Sequence, residues 1–150
     1  MPYTMTRTNQ IELLNAALEL TQSEGWHKDA VAYAAIEQSS NQMACIGVFQ
    51  NFAGGSAEFH FSTAGRRLNK TILESYKFIA FHPRMMGLKR IFANVAASNA
   101  NAQKACLNAG FTFQYRKPSG AAGGEDAIVL MLVPSNEPKH AQEVRSDQSG

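Results

Sequence analysis

Gly87 to Phe111, GLKRIFANVAASNANAQKACLNAGF, is the stretch whose reading decides the fold. Between Arg90 and Ser98 the run Ile91, Phe92, Ala93, Val95, Ala96, Ala97 is interrupted only by Asn94, a density that predicts a strand buried on both faces. The period then changes. Asn99 suits an N-cap, because its side-chain oxygen can accept from an orphan amide of a first helical turn, and Ala100 to Asn108 is Ala-rich and helix-forming. Gly110 sits where a helix needs a left-handed residue to stop. A strand, a cap, a short helix, a glycine and a second strand opening at Phe111 thus form one unit of about 25 residues.

Outward from this unit, the upstream chain alternates strand-like and helix-like patterns. Met1 to Arg7 reads as a first strand or an arm. Asn9 and Glu12 have capping-box spacing, and Ile11, Leu14, Ala17 and Leu18 fall on one face of a helix that should stop near Gly25. Trp26 to Glu37 holds an Ala-rich run with Val31, Tyr33 and Ile36 that suits helix or strand, a loop followed by a strand being the preferred reading, and Gln38 to Gln42 reads as a turn. Met43 to Phe49 (MACIGVF) and Ala57 to Phe61 (AEFHF) are strands joined by Gln50 to Ser56, whose Gly54-Gly55 suits a hairpin. On the second of them Phe59 and Phe61 face one way, and Glu58, His60 and Ser62 the other. Thr63 to Arg67 has turn character and leads into a helix from about Leu68 to Phe81, with a stripe of Leu68, Ile72, Leu73, Tyr76, Ile79 and Ala80, ended by Pro83. Downstream, a strand to about Arg116, a loop from Pro118 to Gly124 and a buried strand from Ala127 to Val133 make a hairpin. The expected organisation is one domain over residues 1–133 and a polar, disordered tail over 134–150.

The chain's 150 residues suffice for one domain with a real core. A net charge of +2 gives no support to nucleic acid or a membrane surface as partner, and Arg66, Arg67, Lys70, Lys77, Arg84, Lys89 and Arg90 are spread out rather than gathered into a patch. Cys45 and Cys106 lie in apolar segments and read as small buried hydrophobes, not as a disulfide or metal pair. There is no Cys-x-x-Cys or His-Glu-x-x-His pattern and the four histidines are far apart, so no metal is expected. The N-terminus lacks the apolar core of a signal peptide, and no stretch approaches the roughly 20 apolar residues of a membrane span, so the expected location is the cytoplasm, or the host cytoplasm for a viral protein.

Arg90, Ile91, Ala93, Val95, Asn99, Gly110 and Phe111 resemble, in order and spacing, the C-terminal half of the GNAT superfamily of N-acetyltransferases, most closely its RimJ/RimL-like branch. The resemblance extends more weakly from Cys45 to Val133, and residues 1–42 align with nothing in it. It implies an α/β fold with a mixed, mostly antiparallel twisted sheet flanked by helices. It also implies acetyl-CoA as substrate and cofactor, and an amine acceptor, either a protein N-terminus or a small amine. The family's pyrophosphate loop maps onto Ser62, Gly65 and Arg67, with Phe61, Arg66 and Leu68 beside them. The physical basis is that amides at a helix N-terminus converge on an anion that glycine lets approach. Ser62 stands where the family has Gln or Arg, and Arg67 where it has Gly or Ala. Asn99 would help shape the cofactor groove. Cys106 occupies the position at which many members place a tyrosine that protonates the leaving thiolate, and here it reads as packing. Glu58 is the expected base, acting directly or through water, with Ser98 at the end of the next strand as a further candidate. These departures support an alternative: a catalytically inactive GNAT-fold binding or structural protein, of bacteriophage origin. A homodimer follows if Ala127 to Val133 lies at a sheet edge.

Overall fold

The computed structural model describes residues 3–21, 23–63 and 69–134. In chain order its elements are β1 (Tyr3–Thr6), α1 (Gln10–Leu20), β2 (Val31–Glu37), β3 (Gln42–Ala53), β4 (Ser56–Ser62), α2 (Lys70–Phe81), β5 (Arg90–Ala96), α3 (Ala100–Asn108), β6 (Thr112–Lys117) and β7 (Ala127–Leu132). The strands form one seven-stranded sheet in the order β1-β2-β3-β4-β5-β7-β6. Every neighbouring pair is antiparallel except β4 with β5. The mixed, mostly antiparallel sheet flanked by helices is the fold class that the sequence implies.

Each face of the sheet is covered by the helices whose stripes match it. Ile72, Tyr76, Ile79 and Ala80 of α2 pack with Phe49, Phe59, Ile91, Ala93, Val95, Leu130 and Leu132 into the larger core, against which Ala102 and Cys106 of α3 also lie. On the opposite face Ala17 of α1 is buried with Ala32, Ile46 and Val48, flanked by Leu13, Leu14 and Trp26. Burial of these side chains is the main favourable contribution to folding.

The unit that opened the sequence reading forms as expected in its second half. Asn99 Oδ1 accepts from the Ala102 amide at 3.1 Å, and Gly110 has φ 104°. In its first half the expectation of double-sided burial is corrected. Ile91, Ala93 and Val95 are buried, whereas Phe92, Asn94 and Ala96 on the α1 side are only half-buried, because α1 packs chiefly over β2, β3 and β4.

Three further expectations change. α1 ends at Leu20 rather than near Gly25, and Ile11 is exposed while Leu13, Leu14 and Ala17 face the sheet. Asn9 adopts a left-handed backbone, φ 63°, and makes no side-chain cap. The start of α1 is held instead by Gln10, whose Oε1 accepts from the Ala32 amide and whose Nε2 donates to the Ala32 carbonyl, both at 2.8 Å. This amide continues the β1–β2 ladder past its last pair, Thr6 with Ala34. Lastly, β7 lies between β5 and β6, so the edge is β6 and the homodimer condition on Ala127 to Val133 is not met.

Candidate active site

β4 and β5 run parallel and pair at only three positions, Ser56 with Arg90, Ala57 with Ile91 and Glu58 with Phe92. β4 continues to Ser62 and β5 to Ala96, so the strands part beyond Glu58. From Phe59 to Phe61 β4 therefore has no ladder partner on the β5 side, and the backbone groups that alternate toward that side are open to an added strand.

On the larger-core side of this split stands α2. Asn69 caps it, its Oδ1 accepting from the amides of Thr71 at 2.8 Å and Ile72 at 3.2 Å. This cap satisfies two of the orphan donors at the helix start. Gly65, Arg66, Arg67 and Leu68, expected to cradle a pyrophosphate, lie outside the described residues. Between α2 and the end of α3 is a cleft of about 320 Å³ lined by Lys70, Leu73, Glu74, Lys77, Asn108 and Ala109. Lys77 and Glu74 pair across one helical turn at 3.3 Å.

On the other side, where β4 leaves β5, is a polar cluster. Glu58 Oε1 lies 3.3 Å from His60 Nε2 and accepts from Gln50 Nε2 at 3.2 Å, while Glu58 Oε2 accepts from Asn51 Nδ2 at 3.0 Å. The hydrogen bond from His60, then those from Asn51 and Gln50, outweigh the opposing effect of burial and draw the Glu58 carboxyl down to about 2. It is a carboxylate throughout the neutral range, with both oxygens engaged. Gln50 is nearly fully buried, and its Oε1 accepts from the His27 amide at 2.8 Å, which fixes its Nε2 toward Glu58. The Trp26 ring meets His60 edge-on, centroids 5.4 Å apart, and is held by a 2.9 Å bond from its Nε1 to the Leu14 carbonyl. Asp29 pins this segment to β3 by accepting from the amides of Asn51 and Phe52, both at 2.9 Å.

The remaining expected site residues are dispersed around the split. Phe61 is on the α2 side, edge-on to Tyr76 with centroids 5.9 Å apart, and Ser62 ends β4 opposite Ile46. Ser98 lies past the end of β5, six residues beyond the Phe92 that pairs with Glu58, and its amide donates to Glu125 Oε1 at 2.7 Å. Cys106 is half-buried against the larger core, and burial pushes its thiol up to about 11. Glu58 is thus brought together with His60 and not with Ser98. Gln50 and Asn51 escaped the sequence reading because β3 was expected to end at Phe49. Carrying its alternation one step further, from Val48 opposite His60, puts Gln50 opposite Glu58.

No protein-family model matches the chain, and no curated protein sequence does. Solved structures do match. A chimera of the spermidine N-acetyltransferase SpeG from Vibrio cholerae and hSSAT superposes with a TM-score of 0.72 over 89% of this chain and 96% of the other, at 15% identity. The ribosomal-protein-S5-alanine acetyltransferase from Vibrio fischeri gives 0.67 over 91% and 95%, at 10% identity. A dodecameric spermidine N-acetyltransferase from Vibrio cholerae gives 0.71 over 95% and 99%, at 12% identity. The chain has the fold of the GNAT acetyltransferases. Among the described residues no helix is long and apolar enough to cross a membrane, and no group of three or more His, Cys, Asp or Glu is placed to hold a metal.

Proposed function

We propose that this protein transfers an acetyl group from acetyl-CoA to a primary amine, a protein N-terminus or a small polyamine-like molecule. The observation that carries the reading is the parting of β4 from β5 beside a half-buried, hydrogen-bonded carboxylate–imidazole pair. The chain's residues fit the cofactor. The unpartnered edge of β4 offers amides and carbonyls to an extended amide-containing arm, as a strand would. The capped start of α2 brings the positive end of a helix dipole, with Lys70 in its first turn, to the same end of β4. Bound acetyl-CoA supplies a thioester whose acyl carbon is open to attack by a neutral amine.

The chain's own tasks are then to bind, orient and deprotonate the ammonium form of the acceptor. Glu58, ionised and half-buried, draws a cation to the split. Phe92 and Trp26 offer apolar walls on either side of it. Asn99 serves the site through α3, by capping it. Cys106 remains a thiol at neutral pH because burial raises it, and it fills space beneath α3. Assembly with further copies, as in the dodecameric enzyme of the same fold, would use β6, whose Phe113 and Tyr115 are exposed at the sheet edge.

Calorimetric titration with acetyl-CoA, using desulfo-CoA and ATP as controls for simple anion binding, tests the reading. A micromolar dissociation constant weakened by Gly65→Asp is the expected result. No heat at millimolar ligand from the folded protein would overturn it in favour of the inactive binding protein.

A further inference from the structure

We infer that His60, oriented by Glu58 and Gln50, is the group that takes the proton from the acceptor ammonium, and that it does so through Nδ1. The inference rests on the acetyl-transfer reading above and assigns the base within it.

The argument begins with Gln50. Its Oε1 is occupied by the His27 amide at 2.8 Å, so the end of the side chain facing the cluster is the donor, Nε2. Glu58 Oε1 lies 3.2 Å from that donor and 3.3 Å from His60 Nε2, while Gln50 Nε2 and His60 Nε2 are themselves 3.3 Å apart. An ionised carboxylate only accepts, and its strongest partner here is the imidazole. The arrangement in which both neighbours donate to Oε1 places the imidazole proton on Nε2 and leaves Nδ1 with a lone pair. A carboxylate that holds one ring nitrogen as N–H makes the other the basic one. Nδ1 has no hydrogen-bond partner among the described residues, and the His60 side chain keeps 21% of its surface exposed. The ring is further steadied by the edge of Trp26.

Position agrees with the chemistry. Glu58 is the last β4 residue paired with β5, so His60 is the first residue on that face beyond the point where the strands part. The titratable groups on the elements packed about it are Glu58 on β4 and His27, Lys28 and Asp29 on the segment before β2. Gln50 of β3 is neutral, β5 presents Phe92 and Asn94, and α1 turns Leu13, Leu14 and Ala17 to the sheet. In the step, R–NH3+ gives one proton to Nδ1 and becomes R–NH2, whose nitrogen pair attacks the acyl carbon. The second nitrogen proton accompanies the departing thiolate as the thiol, and the imidazolium returns its proton to water. Overall R–NH3+ and thioester yield the amide, free thiol and one proton. Glu58 is then a positioning residue that favours one tautomer and stabilises the imidazolium.

Two measurements on the intact protein decide the matter. In 15N NMR of the neutral histidine rings, His60 should show a protonated Nε2 and an unprotonated Nδ1, and Glu58→Gln should shift the balance toward the other tautomer. The opposite tautomer in the unaltered protein, with Gln50 donating to Nε2, overturns the inference without bearing on acetyl-CoA binding. In thiol-release assays with acetyl-CoA and spermidine or an alanine-terminated peptide, His60→Gln should lower kcat/KM by about 100-fold or more. Calorimetric affinity for acetyl-CoA should be unchanged. Equal kcat/KM in the two proteins overturns the inference while leaving acetyl transfer intact, whereas absence of acetyl-CoA binding in the unaltered protein overturns both.

Discussion

The two faces of β4 make opposite use of one alternation. On the α2 side Phe59 stacks with Phe49, Phe61 and Tyr76 at centroid distances of 4.7, 5.7 and 5.3 Å, a dry aromatic cluster. On the α1 side Glu58 and His60 are held by Gln50, Asn51 and Trp26, each partner polar or polar-tipped. Three consecutive residues, Glu58, Phe59 and His60, thus go to polar cluster, core and polar cluster. The packed face anchors the strand in the core, and so positions the polar cluster without touching it. Breaking each face separately should separate stability from acetyl transfer.

The largest effect is expected at Gly47 on β3, opposite Phe61. A Cβ added there would stand 2.7 Å from Tyr76 Cε1 and 2.8 Å from Phe59 Cε1, so strand and aromatic rings approach only because no side chain intervenes. Gly47→Val should destabilise the protein by about 3 kcal/mol, seen as a lower urea midpoint. On the same face is Tyr76→Phe. The buried hydroxyl donates to the Tyr33 carbonyl at 2.6 Å, and losing this hydrogen bond should cost about 1 kcal/mol with no change in the pH profile of transfer.

On the reactive face the expected signature is acid sensitivity. Glu58 is held at about 2 against an ordinary 4.5, chiefly by His60, so the folded state favours the carboxylate more than the unfolded state does. Its contribution is fully present above pH 4.5 and is lost as pH falls toward 2, on the order of 2 kcal/mol, and Glu58→Gln should remove this dependence from acid titrations followed by circular dichroism. Equal acid stability of the two proteins would contradict the pairing. The smallest effect is Asn69→Ala, which frees the amides of Thr71 and Ile72 and should cost about 1 kcal/mol, read as a lower urea midpoint.

Much of the fold was legible because it is written in local periods. The alternation in Ala57 to Phe61 separated Phe59 and Phe61 from Glu58 and His60, and the shift from strand to helix at Asn99 located α3 and its cap. Where a residue's role depends on a partner distant in the chain, the pattern was silent. Gln10 replaces the side-chain cap expected of Asn9 because the Ala32 backbone happens to be left unpaired beside it. Gln50 read as a loop residue because its partners, the His27 amide and Glu58, are 23 and eight positions away.

By itself the sequence determined most of the strands and helices, the apolar faces of β4 and α2, and the resemblance of Arg90 to Phe111 to one acetyltransferase fold. Only the tertiary structure decided that β7 is internal and β6 the edge, that β4 leaves β5 after Glu58, and that Glu58 meets His60 and Gln50 rather than Ser98. The reason is physical. Periodicity reports one element's contact with a generic apolar layer, whereas strand order and side-chain pairing are set by closing contacts between segments far apart in the chain, and no local pattern records which of them close.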